Sequence, residues 1–426
     1  MRSIADYSSL LRENDWTEAF RAAVRDIRRD GGGTLTVPPG LYGTRSIELT
    51  SDMTLHVESG AVIRFSDDID AYERVTIDFE GAPREAAMPL VYARSARNVA
   101  LTGGGTLDGN GFKWWKAHRE RKLSFARPYL VCFDGCENAR AEGLTLINSP
   151  VWTVHPLNCD RVTLRGLTIR NPADSPNTDG IDPDYSTNVL IDGCLIDVGD
   201  DCIAIKSGTE EATIRRATEN VIISNCHMLN GHGALVLGSE MSGDVRNVVL
   251  SNCVFRNTDR GLRVKTRRGR GGRVSGITMD HVIMDGVMCP FVVNMRYYCG
   301  KGGREPVVSA PEAMPVGTGT PAVSDIFVSD VVCRDCVSAA GFIEGLPESA
   351  VERVRFSNVS ITMRPDAEKR LAAMTASCQP TASEGFFVKC ARQIEFSNVT
   401  LRGENGAPVR LLKDASVLWN GQTLES

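Results

Sequence analysis

The chain has 426 residues, 42% of them hydrophobic, 24% charged and 6% aromatic, with a formal net charge of -5. This is the composition of a soluble globular protein, and its mild acidity argues against a nucleic-acid partner. No apolar run is long enough to span a bilayer, and the opening "MRSIADYSSLLRENDWTEAF" lacks the apolar stretch of a secretory leader, so the expectation is a cytoplasmic protein with no membrane partner. The first predicted element is a helix over residues 15–30, in "DWTEAFRAAVRDIRRDGGG". Asp15 with Glu18 has the capping-box pattern, and Phe20, Ala23, Val24 and Ile27 form one apolar face. Its expected task is to cover the open end of the strand-rich region that begins after it.

From "TLTVPPGLYGTRSIELTSDMTLHVESGAVIRF" onward the chain repeats one unit: a short β-branched strand, a small turn and a second short strand. "RVTLRGLTIRNP", "NVLIDGCLIDVGD", "NVIISNCHMLNG", "NVVLSNCVFRNT", "RVRFSNVSITM" and "QIEFSNVTLRG" are members. Central members start about 23 to 32 residues apart, the length of one coil of a solenoid. Each unit is too short to fold alone, so stacking is the solution that buries its apolar residues. Val221 and Ile223 should then lie on Val248 and Leu250, and the turn asparagines Asn225, Asn252, Asn358 and Asn398 should bond along a column in the left-handed conformation that Asn tolerates. The predicted fold is all-β, a right-handed parallel β-helix forming one domain over residues 1–426; an α/β fold lacks the helices it needs. Two long loops, residues 103–130 with Trp114 and Trp115 and residues 289–322 with Tyr297 and Tyr298, interrupt the rhythm and are expected at a cleft. The tail "AMPVGTGTP" in the second is expected to be mobile. The thirteen cysteines, odd in number and mostly set in strand-like stretches such as "SNCHM", read as reduced core residues.

One stretch places acids where a core strand would not. In "NTDGIDPDYSTNVLIDGCLIDVGDDCIAIKSG", Asp179 and the pair Asp200 and Asp201 fall about one coil apart, close enough to meet one rung apart, with Gly199 easing the turn. Clustered carboxylates repel, so at least one should hold a proton near neutrality. An acid beside an ionised partner is the setting of a glycoside hydrolase, with the inverting and retaining geometries both open at this point. The plain alternative is turn formation or calcium ligation. The following coils tip the balance: "NGHGALVLGSE" brings His232, and "RGLRVKTRRGRGG" brings Arg263 and Lys265, which share one strand face. The basic run Arg260 to Arg273 has no interleaved aromatic residues to suggest a nucleic-acid surface, and its part from Arg267 to Arg273 is expected as a solvated loop at the cleft edge.

The ordered set Asn177-Thr178-Asp179, Asp200-Asp201, Gly231-His232-Gly233 and Arg263-Val264-Lys265 resembles the four signature motifs of glycoside hydrolase family 28, the polygalacturonases. All four are complete and in order, and the resemblance runs from about residue 15 to the last coil. It implies inverting hydrolysis of α-1,4-linked galacturonic acid in pectic oligosaccharides, without metal or cofactor. Carried over by motif, Asp200 is the general acid, Asp179 and Asp201 position and deprotonate the water, and His232 supports the acid's protonation state. Asn177 belongs to the substrate site, and Arg263 and Lys265 bind the sugar carboxylate, for which a guanidinium fork and an ammonium are suited. The family's tyrosine is assigned to Tyr298, with Tyr297 as its alternative. Lys206 is a candidate carboxylate ligand or a surface lysine; Trp152, His155 and Arg127 are candidates for lining the sugar site. The long loops suggest an exo-acting enzyme. A rhamnogalacturonan-type or unsaturated-end hydrolase, a calcium-dependent lyase and a non-catalytic carbohydrate-binding solenoid are the rivals, and homo-oligomerisation is left open.

Overall fold

Alternation of buried and half-exposed residues sets the strands: in Met53–Val57, Met53, Leu55 and Val57 point inward while Thr54 and His56 do not. The computed structural model describes residues 1–426. Its contacts divide the chain into two units, Met1–Asp201 and Cys202–Ser426, and each is a parallel β-helix.

In the first unit the strand Gly33–Val37 pairs in parallel with Met53–Val57, and the ladder continues through Arg97–Gly103, Glu137–Glu142, Asp160–Arg165 and Thr187–Asp192. Register places Leu55, Leu101, Ala141, Leu164 and Ile191 in one column. Each of the five is fully buried. A second face is built from Ile47–Leu49, Val91–Arg94, Val131–Asp134 and Val154–Leu157. The helix Thr17–Arg29 lays Ala19, Phe20, Ala23, Val24 and Ile27 against the first strands, as expected of an end cover. Its start differs from the expected capping box. Trp16 is the N-cap residue; Asp15 accepts from Thr17 N at 2.8 Å, while Glu18 pairs with Arg21. One residue of offset turns Glu18 outward.

In the second unit Thr218–Ser224, Val245–Arg256, Arg273–Asp285, Ala322–Cys336, Val351–Met363 and Ala391–Arg402 pair in parallel. Ile223, Leu250, Met279, Val328, Phe356 and Phe396 stack in register, the last two rings 4.9 Å apart and nearly parallel. Val221 meets Val248, as the repeat predicted. The asparagine ladder is present too: Asn252 donates to Asn225 at 2.6 Å across 27 residues, Asn398 donates to Asn358 at 2.8 Å, and all four have positive φ. A second sheet runs from Gly233–Gly238 through Arg260–Lys265, Cys289–Asn294, Ala339–Glu344, Glu384–Lys389 and Asn405–Leu411. The last coil strand, Ala415–Trp419, is covered by the antiparallel strand Gln422–Glu425, which occupies an otherwise open edge.

The two expected long loops are more structured than the sequence suggested. Residues 103–130 contain the strand Thr106–Asp108 and a helix, Phe112–Arg119, whose Trp114 and Trp115 are buried, with Trp115 Nε1 donating to Ser149 O at 2.9 Å. Residues 289–322 contain the strand Cys289–Asn294 and the turn of helix Pro306–Ser309. The tail expected to be mobile is tied down, because Gly319 O accepts from Gly269 N at 2.8 Å and from Gly271 N at 3.1 Å. An antiparallel hairpin, Arg74–Phe79 with Ala82–Ala87, was not anticipated.

Candidate active site

An acidic cluster belongs to the first unit. Thr153 N donates to Asp179 O and Gly180 N donates to Asp201 O, each at 2.9 Å, so the two aspartates sit on successive coils tied by backbone hydrogen bonds. Stacking alone therefore brings them together, and one oxygen from each of Asp179, Asp200 and Asp201 lies within 4.8 Å of the others. Asp179 and Asp201 are buried, whereas Asp200 is half-buried. Gly199 is needed for close approach: a Cβ there would stand 2.6 Å from Pro172 O and from Ser175 O. The three carboxylates are also the donor set in this part of the chain best suited to a hard cation.

Arg127 and Asn177 form the frame of this group. The Arg127 guanidinium donates to Pro150 O (2.9 Å), Pro176 O (2.7 Å) and Asn177 Oδ1 (2.7 Å). Burial lowers its pKa to about 10, a loss resisted by the negative charges of Glu80, Asp179 and Asp200. Arg127 is 3% exposed and clamps the loop that carries Asn177 and Asp179. Asn177 holds a left-handed turn at φ 55°.

The expectation for Trp152 and His155 is corrected. Trp152 stacks on Tyr129 and Phe79, and His155 packs edge-on against Tyr129 and Trp152. His155 has no exposed surface, and its Nε2 lies 3.6 Å from Asp184 Oδ2. Both side chains belong to an aromatic core beneath the aspartate coils, away from solvent.

A basic cluster belongs to the second unit. Arg263 and Lys265 alternate on the strand Arg260–Lys265, as the pattern predicted, and both are largely buried. The Tyr297 ring lies 5.6 Å from the Arg263 guanidinium carbon and 5.5 Å from Lys265 Nζ. The tyrosine beside the cationic pair is thus Tyr297; Tyr298 lines a separate cavity of about 400 Å³ with Arg296, Glu305 and Ser309. Both tyrosines lie in the loop that follows the strand Cys289–Asn294, where no strand alternation fixes which of them faces the pair. Lys206 is not at the surface: its side chain is 3% exposed and its Nζ is 3.4 Å from Glu240 Oε2. Burial opposes ionisation of Glu240, but Lys206, Arg270 and Lys265 outweigh it and hold the carboxyl at about 2.

His232 is exposed, and its Nδ1 lies 2.9 Å from Asp259 Oδ2. Burial raises the Asp259 pKa, yet the His232 hydrogen bond and the Arg260 charge prevail and leave it below the ordinary value. Asp259 and Glu240 are the site residues that sequence reasoning missed. The signal for Asp259 was available, because the repeat of 27 residues seen at Asn225 and Asn252 also separates His232 from Asp259.

The solvated loop expected from Arg267 to Arg273 is instead an internal clamp for most of its arginines. Arg267 and Arg270 both reach Glu210 at 2.5 Å; Arg268 grips Glu348 at 2.6 and 2.8 Å and takes the carbonyls of Val307, Ala310 and Glu312. Forked guanidiniums satisfy carbonyls that a loop folding back on the unit would otherwise bury unpaired.

Residues 49–378 match the family model described as glycosyl hydrolases family 28. A probable polygalacturonase of Vitis vinifera is 35% identical over 365 residues, which are 83% of this chain and 72% of that protein. Two probable polygalacturonases of Arabidopsis thaliana are matched over 42% and 50% of their own length. Among solved structures, a hyperthermoactive exopolygalacturonase from Thermotoga maritima superposes with a TM-score of 0.79 at 30% identity, covering 95% of this chain and 92% of that one.

Proposed function

Since the chain belongs to family 28 of the glycosyl hydrolases, we propose that it hydrolyses α-1,4-linked galacturonic acid in pectic oligosaccharides, removing units from a chain end with inversion at the anomeric carbon. The observation that carries this reading is the trio of carboxylates whose oxygens lie within 4.8 Å of one another on stacked coils. Three such groups cannot all ionise without cost, so one retains a proton while another stays a base. Asp200, the half-buried member, donates its proton to the glycosidic oxygen as the bond from that oxygen to the anomeric carbon breaks. Asp179 and Asp201 hold a water, take one proton from it, and direct its oxygen to the opposite face of the sugar. Arg263 and Lys265, beside Tyr297, pair with the carboxylate of a galacturonate unit.

Inversion is supported by family membership rather than by spacing, because inverting pairs typically stand about 6.5–9.5 Å apart. End-on action is supported by the likeness to the Thermotoga exopolygalacturonase over nearly the whole chain. The test is a product time course by mass spectrometry on tri- to hexagalacturonate in heavy-oxygen water, with and without chelator, and with the first-formed anomer read by NMR. Labelled free galacturonate, a ladder shortened by one unit, indifference to chelator and an inverted first anomer are expected. Asp200→Asn should lower kcat by about 10²–10⁴-fold with little change in KM. Mixed-length products at the earliest times would overturn the end-on reading, and an unsaturated product lost on chelation would indicate a lyase. Cleavage of rhamnogalacturonan oligosaccharides alone would change the substrate, and no cleavage of either would leave a binding solenoid.

A further inference from the structure

Two excursions from the coils of the first unit meet around Arg127. One is the hairpin Arg74–Phe79 with Ala82–Ala87, turned at its tip by Glu80 and Gly81, both with positive φ. The other is the segment 120–127 that follows the helix Phe112–Arg119. The two are fastened together: Ala126 N donates to Glu85 O at 2.9 Å, Ala87 N donates to Ala126 O at 3.0 Å, and the Arg74 guanidinium lies 3.3 Å over the Phe125 ring. Phe79 anchors the hairpin tip by stacking on Tyr129 and Trp152. A cavity of about 470 Å³ lies between them, lined by Glu80, Arg84, His118, Ser124, Phe125 and Arg127 among others. That volume falls in the range of small-ligand pockets, about 300–1,000 Å³. Arg127 connects it to the chemistry, because the same guanidinium holds Asn177 and feels the charges of Asp179 and Asp200.

We propose that this cavity is the subsite for the terminal uronate of an oligosaccharide chain, with Arg84 and His118 as its specificity-determining side chains. Arg84 and His118 are both exposed and line the cavity. Arg84 supplies a guanidinium fork matched to a carboxylate. His118 is the hydroxyl partner: partial burial, with the charges of Arg127 and Arg119, lowers its pKa and keeps it neutral near pH 7. Phe125 offers an apolar surface to a pyranose face. A chain end lodged against the hairpin presents its first linkage to the aspartates, which is why cutting starts at the end. The inference rests on the galacturonan-hydrolase reading and adds the residues that read the terminal unit.

The experiment is calorimetric titration of trigalacturonate into the full chain carrying Asp200→Asn, alone and combined with Arg84→Ala, His118→Ala or Ser124→Trp. Arg84 and Ser124 are exposed, so these variants should melt at the parental temperature. Arg84→Ala is expected to weaken binding at least tenfold, His118→Ala several-fold, and Ser124→Trp, which fills the cavity, to the limit of detection. In the enzyme with Asp200 intact, Arg84→Ala should raise KM far more than it lowers kcat. Unchanged affinity in both Arg84→Ala and Ser124→Trp, with trigalacturonate still bound by the parent, overturns the subsite while leaving the galacturonan reading in place. Failure of the unsubstituted enzyme to bind or cleave trigalacturonate overturns both.

Discussion

Single residues in this chain act through the charges they face. Glu240 is the sharpest case, a largely buried carboxylate held at about 2 against an ordinary value of 4.5 by Lys206, Arg270 and Lys265, which outweigh its burial. A carboxyl with a depressed folded-state pKa stabilises the native state above its unfolded value, and that contribution fades as pH falls toward the folded one. Denaturant unfolding of wild type and Glu240→Gln as a function of pH should therefore show the variant less stable at pH 7, by roughly 3 kcal/mol, with the gap closing between about pH 4.5 and 2. A gap independent of pH would remove the ionic explanation. Asp259 serves His232 in the same manner, on an exposed edge where screening makes the pair weaker. The motif residues Asp179, Asp200, Asp201, His232, Arg263 and Lys265 were all readable from the chain. Glu240 was not, because nothing in "LVLGSE" says that its final residue folds back over two lysines.

At the scale of elements, the coil ladder was legible because its causes are local. A β-branched strand alternates, an Asn accepts a left-handed turn, and the next copy can only stack. The excursions from the ladder were misjudged for the opposite reason. Residues 103–130 and 289–322 lack periodicity, and what orders them comes from elsewhere: the Ser149 carbonyl for Trp115, and Arg268 and Arg296 for the carbonyls near residue 310. Arg268→Ala would leave Glu348, itself nearly inaccessible, without its bidentate partner. Such a break typically costs about 3–5 kcal/mol. Hydrogen exchange should show protection lost over residues 305–313 in that variant and retained over the strands of the second unit. Uniform loss throughout the unit would mean that the clamp supports the coils as well as the loop.

For the whole molecule, the cysteines give the clearest test. Twelve of the thirteen are buried, Cys299 is partly accessible, and no disulfide joins any two of them. Burial pushes Cys289 up to about 12, and the other inward-facing thiols sit among coil residues as small apolar side chains. A thiol reagent should therefore modify one site rapidly in the native protein, at Cys299, and all thirteen after denaturation without reductant. Fewer than thirteen in the denatured protein would reveal a disulfide and argue for an oxidising compartment. By itself the sequence determined the repeat, the inward columns, the asparagine turns and the order of the family motifs, because these depend on spacing along one chain. Only the tertiary structure decided that Tyr297 rather than Tyr298 stands by the cationic pair, that Arg127 and His155 are buried supports, and that a hairpin and a loop enclose a cavity lined by Arg127. Those outcomes depend on how insertions of unequal length pack, and on carbonyls and charges brought in from distant coils; no local pattern encodes either.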